Sequence, residues 1–437
     1  MRDLIITAFV LGCLPKIIKQ PYWGLLMWIW LSLMNPHRLA YGFAYSLPFA
    51  QITAIAMLLG LLFKAGTLYR FPLNGVSITM LVFMAWLGVS PLFPFDVKPN
   101  ANEFYFWSRA LKIMLMVLAT FLVVGTRDEV DKLVAVLAGS VAFYGVKGGL
   151  FVLATGGSYK VFGPASSFIE DNNTMALALV MVVPLLRYLQ IYARRLWARR
   201  LCLAAMVLCT ISAVGSYSRG ALLALGAMGL FLWIKGRNRG ITLILLMFAV
   251  PAVFLLMPAE WTDRMSTIKT YDEDRSAQGR INAWWMAWNL AKARFPLGGG
   301  FEVWEPSAFA AYSPVPEYVH AAHSIYFQVL GEHGFVGLFL FLCIFIAAFR
   351  TGRSVVVAAG RSSELAWAGD LAKMCQVSLI AYAVGGAFLS LSYYDFPYYI
   401  AAVLVVLKRV VTTLPAVVLP RVVATAPDSG SQLMSKS

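Results

Sequence analysis

What most constrains this chain is an almost unbroken succession of apolar runs, each close to the length of a membrane-spanning helix and separated by short charged connections. They lie near 3–14, 21–34, 48–63, 75–92, 106–124, 133–154, 174–190, 201–217, 220–234, 241–257, 322–349, 371–392 and 397–411. Backbone groups in hydrocarbon must satisfy one another within the segment, so runs of this kind are helices. About 20 apolar residues make one span. On that scale the 437 residues, 60% of them hydrophobic and 13% charged, predict an all-α polytopic membrane protein of about 12 transmembrane helices. A soluble globule carries about 25% charged residues and is excluded. The run 3–14 is too short to span alone, and Lys16 and Lys19 after it replace the small-residue site of a cleavable signal peptide.

The formal charge of +15 would point to nucleic acid on a soluble protein, whereas on a polytopic one it reports topology and implies no nucleic-acid partner. Lys/Arg bias assigns the connections with Lys16/Lys19, Lys64/Arg70, Arg127/Lys132, Arg194/Arg195/Arg199/Arg200, Lys235/Arg237/Arg239, Arg350/Arg353/Arg361 and Lys408/Arg409 to the cytoplasm. The intervening loops, with Arg38, Lys98, Lys160 and Arg219, face outward. The organisation expected is helices over 1–257, a long outward loop over 258–321, helices over 322–411 and a disordered cytoplasmic tail over 412–437. The loop holds eight acids and six bases, a balance that suits a solvated, folded segment. Within it RINAWWMAWNLAKARF, Arg280–Phe295, has helical apolar spacing ahead of Pro296 and Gly298–Gly300, and predicts an amphipathic helix at the membrane surface. The five cysteines show no CxxC pair and give no disulfide or metal framework.

Ionisable groups at the boundary of an apolar bundle are costly to desolvate and mark function. Four outward clusters stand out: Gly163-Pro164 to Asp171-Asn172-Asn173, Ser216-Tyr217-Ser218-Arg219-Gly220, Arg280 with its helix, and His320 to Ser324. Arg219 either snorkels to lipid headgroups or points into a cavity, where Ser216, Ser218 and Gly220 would leave a cradle for phosphate. Arg280 either pairs with Asp272 or Asp274 or joins Arg219 in clamping a diphosphate, since each planar fork matches two phosphate oxygens. His323, at the water boundary of the 322–349 helix, is the candidate base, with His320 as its rival. His320 and His323 at i, i+3 also have metal-like spacing, but no third ligand is evident. His333, ten residues beyond His323 and so about 15 Å deeper in a continuous helix, reads as a structural hydrogen bonder. Asp272-Glu273-Asp274 has the Asp-x-Asp form of metal-dependent glycosyltransferases, yet flanking Arg275 and outward placement make it a solvated charge run. There is no Walker A, HExxH or GxSxG sequence.

The stretches GPASSFIEDNNTMA (163–176), SYSRGALLAL (216–225), RINAWWMAW to PLGGGFEVW (280–304) and HAAHSIYFQVLGEHGFVGL (320–338) resemble the bacterial O-antigen ligase, O-antigen polymerase and O-oligosaccharyltransferase superfamily. The opening MRDLIITAFVLG and AHSIYFQVLGEHG resemble, within it, a branch described as O-glycosylation ligases associated with exosortase systems. The resemblance implies a C-type glycosyltransferase-like enzyme of the bacterial inner membrane with a periplasmic active site. The implied reaction moves a glycan from undecaprenyl diphosphate to a hydroxyl acceptor, lipid A-core in ligases, without nucleotide, metal or other cofactor. Protein glycosylation and polysaccharide polymerisation are the alternative outcomes. Carried over residue by residue, Arg219 and Arg280 bind the donor diphosphate and His323 is the catalytic histidine, with His320, Tyr217, Asp171 and Asn172 as possible support. Ser324 stands where the family often has Asn. The competing class, a transporter of lipid-linked glycan, would show paired broken helices and an inverted repeat, and the sequence displays neither.

The loop assignment has a direct test. In a variant lacking the native cysteines, an impermeant thiol reagent added to intact cells is expected to label Ser307→Cys and to spare Trp197→Cys. The opposite pattern inverts the topology.

Overall fold

The computed structural model describes residues 1–93, 95, 101–235, 257–266 and 275–413, with single positions at 240, 243, 244, 247, 251 and 255. Most of the expected run at 241–257, the connection holding Arg237 and Arg239, Lys98, Lys269, the Asp272–Asp274 run and the tail beyond Thr413 lie outside the described residues.

In chain order the helices are α1 (Arg2–Lys19), α2 (Pro21–Leu33), α3 (Phe49–Phe63), α4 (Gly75–Val89), α5 (Ala101–Val123), α6 (Arg127–Thr155), α7 (Asn172–Tyr192), α8 (Leu196–Val214) and α9 (Arg219–Lys235). There follow α10 (Ala259–Ser266), α11 (Arg275–Ala293), α12 (Pro306–Tyr312), α13 (Ile325–Ala359), α14 (Ala366–Gly385) and α15 (Asp395–Thr413). No strand occurs among the described residues. Eight helical segments among the described residues are long and apolar enough to cross a membrane, and α3 and α9 are apolar but shorter. The two runs nearest the start are helical as well, but α1 carries Arg2, Asp3, Lys16 and Lys19, and α2 has only 13 residues.

Helix ends follow local chemistry. Thr126 and Glu129 form a reciprocal capping box that opens α6, and Asn74 with Ser77 does the same for α4. Small residues set the closest packing: a Cβ on Gly149 of α6 would lie 2.3 Å from the Leu208 carbonyl oxygen of α8, so only glycine allows that approach. α15 and α7 are the most enclosed of the candidate spans, at 78% and 72% buried, and so form the centre of the bundle.

The two ends of the bundle differ in chemistry. At one, the Tyr22 hydroxyl donates to the Glu129 carbonyl (2.9 Å), Arg409 Nη1 donates to the Phe121 carbonyl (2.8 Å), and Tyr192 donates to Asp370 (2.9 Å). These contacts gather the basic connections around Lys16, Arg70, Arg127, Arg194 and Arg361 at a single end. At the other, Asp3 accepts from the Gly42 amide (3.0 Å), Tyr217 donates to the Gly157 carbonyl (2.8 Å) and Asn172 donates to the Ser216 carbonyl (2.6 Å).

One element departs from expectation. α13 is broken at Gly334, whose φ of 68° and ψ of −168° are not helical. The continuous helix on which the depth of His333 is reckoned is interrupted by this residue: hydropathy follows transfer energy and is blind to a single backbone dihedral pair. The carbonyls that the break frees find partners. Gly331 accepts from the Gly299 amide (2.8 Å), Glu332 from the Gly300 amide (3.0 Å) and Ser90 Oγ (3.1 Å), and His333 from Trp86 Nε1 (2.9 Å). The glycine turn after α11 thus docks onto the interrupted helix, where unpaired backbone groups would otherwise be costly.

A Cβ at Gly334 would meet the Pro296 carbonyl oxygen at 2.4 Å in a region of φ/ψ reserved almost wholly for glycine. Gly334→Ala is expected to add about 1–3 kcal/mol of backbone strain and to lower the melting temperature of the purified protein in detergent. Gly226→Ala, where nothing lies within 4 Å, should not lower it. Equal melting temperatures for the two variants would show that the turn yields freely.

Candidate functional site

Three segments meet at the end of the bundle opposite the basic connections. The first is the junction before α7. Asp171 caps that helix, accepting from the Asn173 amide at 2.9 Å, and remains exposed. Asn172 is buried, and its amide holds the Ser216 carbonyl. Asn172 therefore fixes the second segment, the tight turn 215–218, in which Tyr217 adopts a φ of 62°. Ser218 Oγ accepts from the Ala221 amide (3.2 Å) and so starts α9 with half-buried Arg219 in its first turn. The Tyr217 ring turns inward onto Val214, Trp261 and Met265, and its hydroxyl is taken up by Gly157.

The third segment is the strap 313–324, laid along α11. Asn282 donates to the Val315 and Tyr318 carbonyls (2.9 and 3.0 Å) and accepts from the Val315 amide (3.0 Å). Trp284 Nε1 donates to the Ala322 carbonyl at 2.7 Å. Gly279 gives the strap room, because a Cβ there would lie 2.8 Å from His320 Cδ2. The helix begins at Arg275, earlier than the Arg280 start expected from apolar spacing, since polar Ser276 and Gln278 extend it without contributing to an apolar face. Arg280 is thereby a second-turn residue pointing at the strap rather than the first residue of a surface helix.

His323 does not open α13 as its sequence position suggests. Ser324 is the cap, buried to 1% exposure, and His323 precedes it at a φ of 42°. That backbone reversal turns the imidazole toward His320, with ring centroids 5.1 Å apart. His320 Nδ1 lies 2.9 Å from the Ala321 carbonyl. A carbonyl only accepts, so Nδ1 carries the proton and Nε2 is left as the lone-pair nitrogen in the neutral ring. Burial first, then the positive fields of Arg280 and His320, push the His323 pKa down to about 4, while Asp171 acts in the opposite direction. Asp171, Arg280, His320 and His323 therefore share one electrostatic environment. Gly220, next to Arg219, packs near the Gly385 carbonyl, and Gly386 abuts Ile325, two residues beyond His323.

Beneath this cluster an apolar cavity of about 370 Å³ runs between α13 and α14, from Ile325 and Tyr326 past Phe341, Phe345 and Tyr382 toward Arg350. Its lining begins at Ile325, two residues beyond His323. Among the described residues no group of three His, Cys, Asp or Glu side chains is arranged to hold a metal ion.

His333 is not the structural hydrogen bonder that its depth suggests. Its ring is fully buried and neither nitrogen has a partner among the described residues; it packs edge-on to Phe301 at 4.6 Å. The glycine turn carries Phe301 there, which sequence separation conceals. Sequence reasoning also missed Glu332, which accepts from Trp304 Nε1 (3.1 Å) and from the Tyr393 hydroxyl, with 1% exposure. An acid inside an apolar run was the available signal.

Residues 204–342 match the family described as O-antigen ligase, and residues 1–194 match a family of unknown function, DUF5935. The first match spans Arg219, Arg280, His320 and His323, and it supports placement in the O-antigen ligase superfamily. No curated protein matches the chain.

The electrostatics of the strap give a signed prediction. In NMR of histidine-labelled protein, the His323 ring should titrate near pH 4 rather than the ordinary 6.5. Arg280→Ala should raise that midpoint, by removing a cation, and Asp171→Asn should lower it further, by removing an anion. Shifts in the reverse directions would break the assignment of these neighbours.

Proposed function

We propose that this chain, which carries an O-antigen ligase domain at residues 204–342, transfers a glycan from undecaprenyl diphosphate to a hydroxyl of a membrane-anchored acceptor, lipid A-core, at the periplasmic face of the bacterial inner membrane. The observation that carries this reading is a buried imidazole, His323, kept neutral in the field of the Arg280 guanidinium, two residues ahead of Ile325, where an aromatic cavity between α13 and α14 begins. That combination suits a substrate with an anionic head and a long apolar tail.

In the proposed reaction the isoprenoid tail enters the cavity and the diphosphate rests against Arg280 and Arg219. The acceptor hydroxyl gives its proton to His323, and its oxygen bonds to the anomeric carbon from the face opposite the donor. The bond between that carbon and the diphosphate oxygen breaks, and the electron pair leaves with the diphosphate. The arginines stabilise the charge that develops there, and attack from the opposite face inverts the anomeric centre. A histidine whose pKa is depressed is a weak base, but the donor corrects this. Its negative charge offsets Arg280 in the way Asp171 already does in part, and moves the imidazole toward the range where general-base catalysis is efficient.

The test is transfer by purified protein from lipid-diphosphate glycan, without nucleotide or metal, to lipid A-core, a hydroxyl-bearing peptide or a second donor glycan in separate arms. Product is expected in the lipid A-core arm; product only with peptide or donor reassigns the acceptor. His323→Ala should cost about 10² to 10⁴-fold in rate, and His320→Ala less, at equal protein abundance and with donor binding measured separately. Arg219→Ala and Arg280→Ala should largely abolish transfer, with Lys restoring part of it, because lysine keeps the charge and loses the fork. Full activity in both alanine variants refutes the diphosphate clamp, and normal rates in His323→Ala refute the base.

A further inference from the structure

We propose that a second lipid site exists on the far side of α6 from α8, and that it holds the phosphate of an anionic bilayer phospholipid. The cavity there, about 550 Å³, lies between the start of α1, the α2–α3 connection and α6, with Arg2, Phe9, Trp30, Tyr41, Phe143 and Lys147 among its walls. Tyr144 donates to the Met34 carbonyl at 2.5 Å, which ties α6 to the end of α2 at the same end of the bundle as the histidine strap. The site is independent of the proposed transfer chemistry.

Lys147 carries the argument. It lies eight residues before the end of α6, about 12 Å into the helix, on an exposed stripe with Phe143, Leu150 and Phe151. Its ammonium has no hydrogen bond or ion pair among the described residues. An unpaired ammonium at that depth is costly unless it snorkels toward the headgroups and meets a counter-charge. Among the described residues no carboxylate pairs with it. The sole acid in the first 47 residues, Asp3, is committed to the Gly42 and Ala44 amides at 3.0 Å each. Arg2 adds a second cation, directed at the Leu39 carbonyl (3.4 Å) and 6.0 Å above the Tyr41 ring. Tyr41, 93% exposed, and Trp30 are of the residue types enriched at the headgroup layer. Two cations above an apolar wall match one phosphodiester above one acyl chain. A zwitterionic lipid would bring its own ammonium against them.

The experiment is native mass spectrometry of the full-length protein, delipidated in detergent and titrated with phosphatidylglycerol, phosphatidylcholine of the same chains, or inorganic phosphate. Phosphatidylglycerol should be retained in preference to phosphatidylcholine, and inorganic phosphate should not be retained. Each basic group near the surface contributes about fivefold, so Lys147→Met should lower phosphatidylglycerol retention by about that factor, and Arg2→Gln with it by about 25-fold. Lys147→Met removes an unpaired charge from an apolar face and is expected to fold as well as the parent. Equal retention of the two phospholipids, undiminished retention in Lys147→Met, or retention of inorganic phosphate alone would each overturn the proposal.

Discussion

The arrangement on which the candidate site depends is the docking of the 298–304 turn onto the break in α13. An interrupted helix inside a bundle leaves carbonyls that no water can satisfy, and here the Gly299 and Gly300 amides, Ser90 and Trp86 take them up. Glu332 binds the same turn through Trp304 and ties it to the segment before α15 through Tyr393. α11 precedes the turn and the strap follows it, so both are held relative to α13. His323 and Arg280 inherit that geometry. The break is therefore a means of seating a water-facing loop on a membrane-embedded scaffold.

Functional groups and charged connections are segregated along the bundle axis. Basic side chains and their carboxylate partners gather at one end, including the Lys132–Asp128 and Lys373–Asp370 pairs. The other end has the histidines, the turns at 163–171 and 215–218, and two apolar cavities that open on different sides of the bundle.

Much of the candidate site was open to reading from the sequence, as residues that are costly to bury. Arg219, Arg280 and His323 stood at boundaries between apolar and polar stretches, where burial of a charge demands a reason, and Asn172 stood in the same setting. What the sequence did not reveal is which neighbours act on each. Asp171 and His323 are 152 positions apart in number yet share one field, because the junction before α7 and the strap close on the same end of the bundle. His333, the deepest histidine, gave a misleading signal. Depth argued for a hydrogen bond, whereas Phe301 fills its surroundings with carbon.

By itself the sequence determined the helical class and the rough extent of the apolar helices among the described residues, because these follow from transfer energies summed over 15–20 neighbouring residues. It also determined which polar residues are expensive to bury. Only the tertiary structure decided that α13 is broken, that His323 sits ahead of its helix in a left-handed turn, and that Lys147 has no counter-charge among the described residues. Each of these depends on a single backbone dihedral pair or on one contact between distant segments, and neither quantity is carried by hydropathy or local spacing.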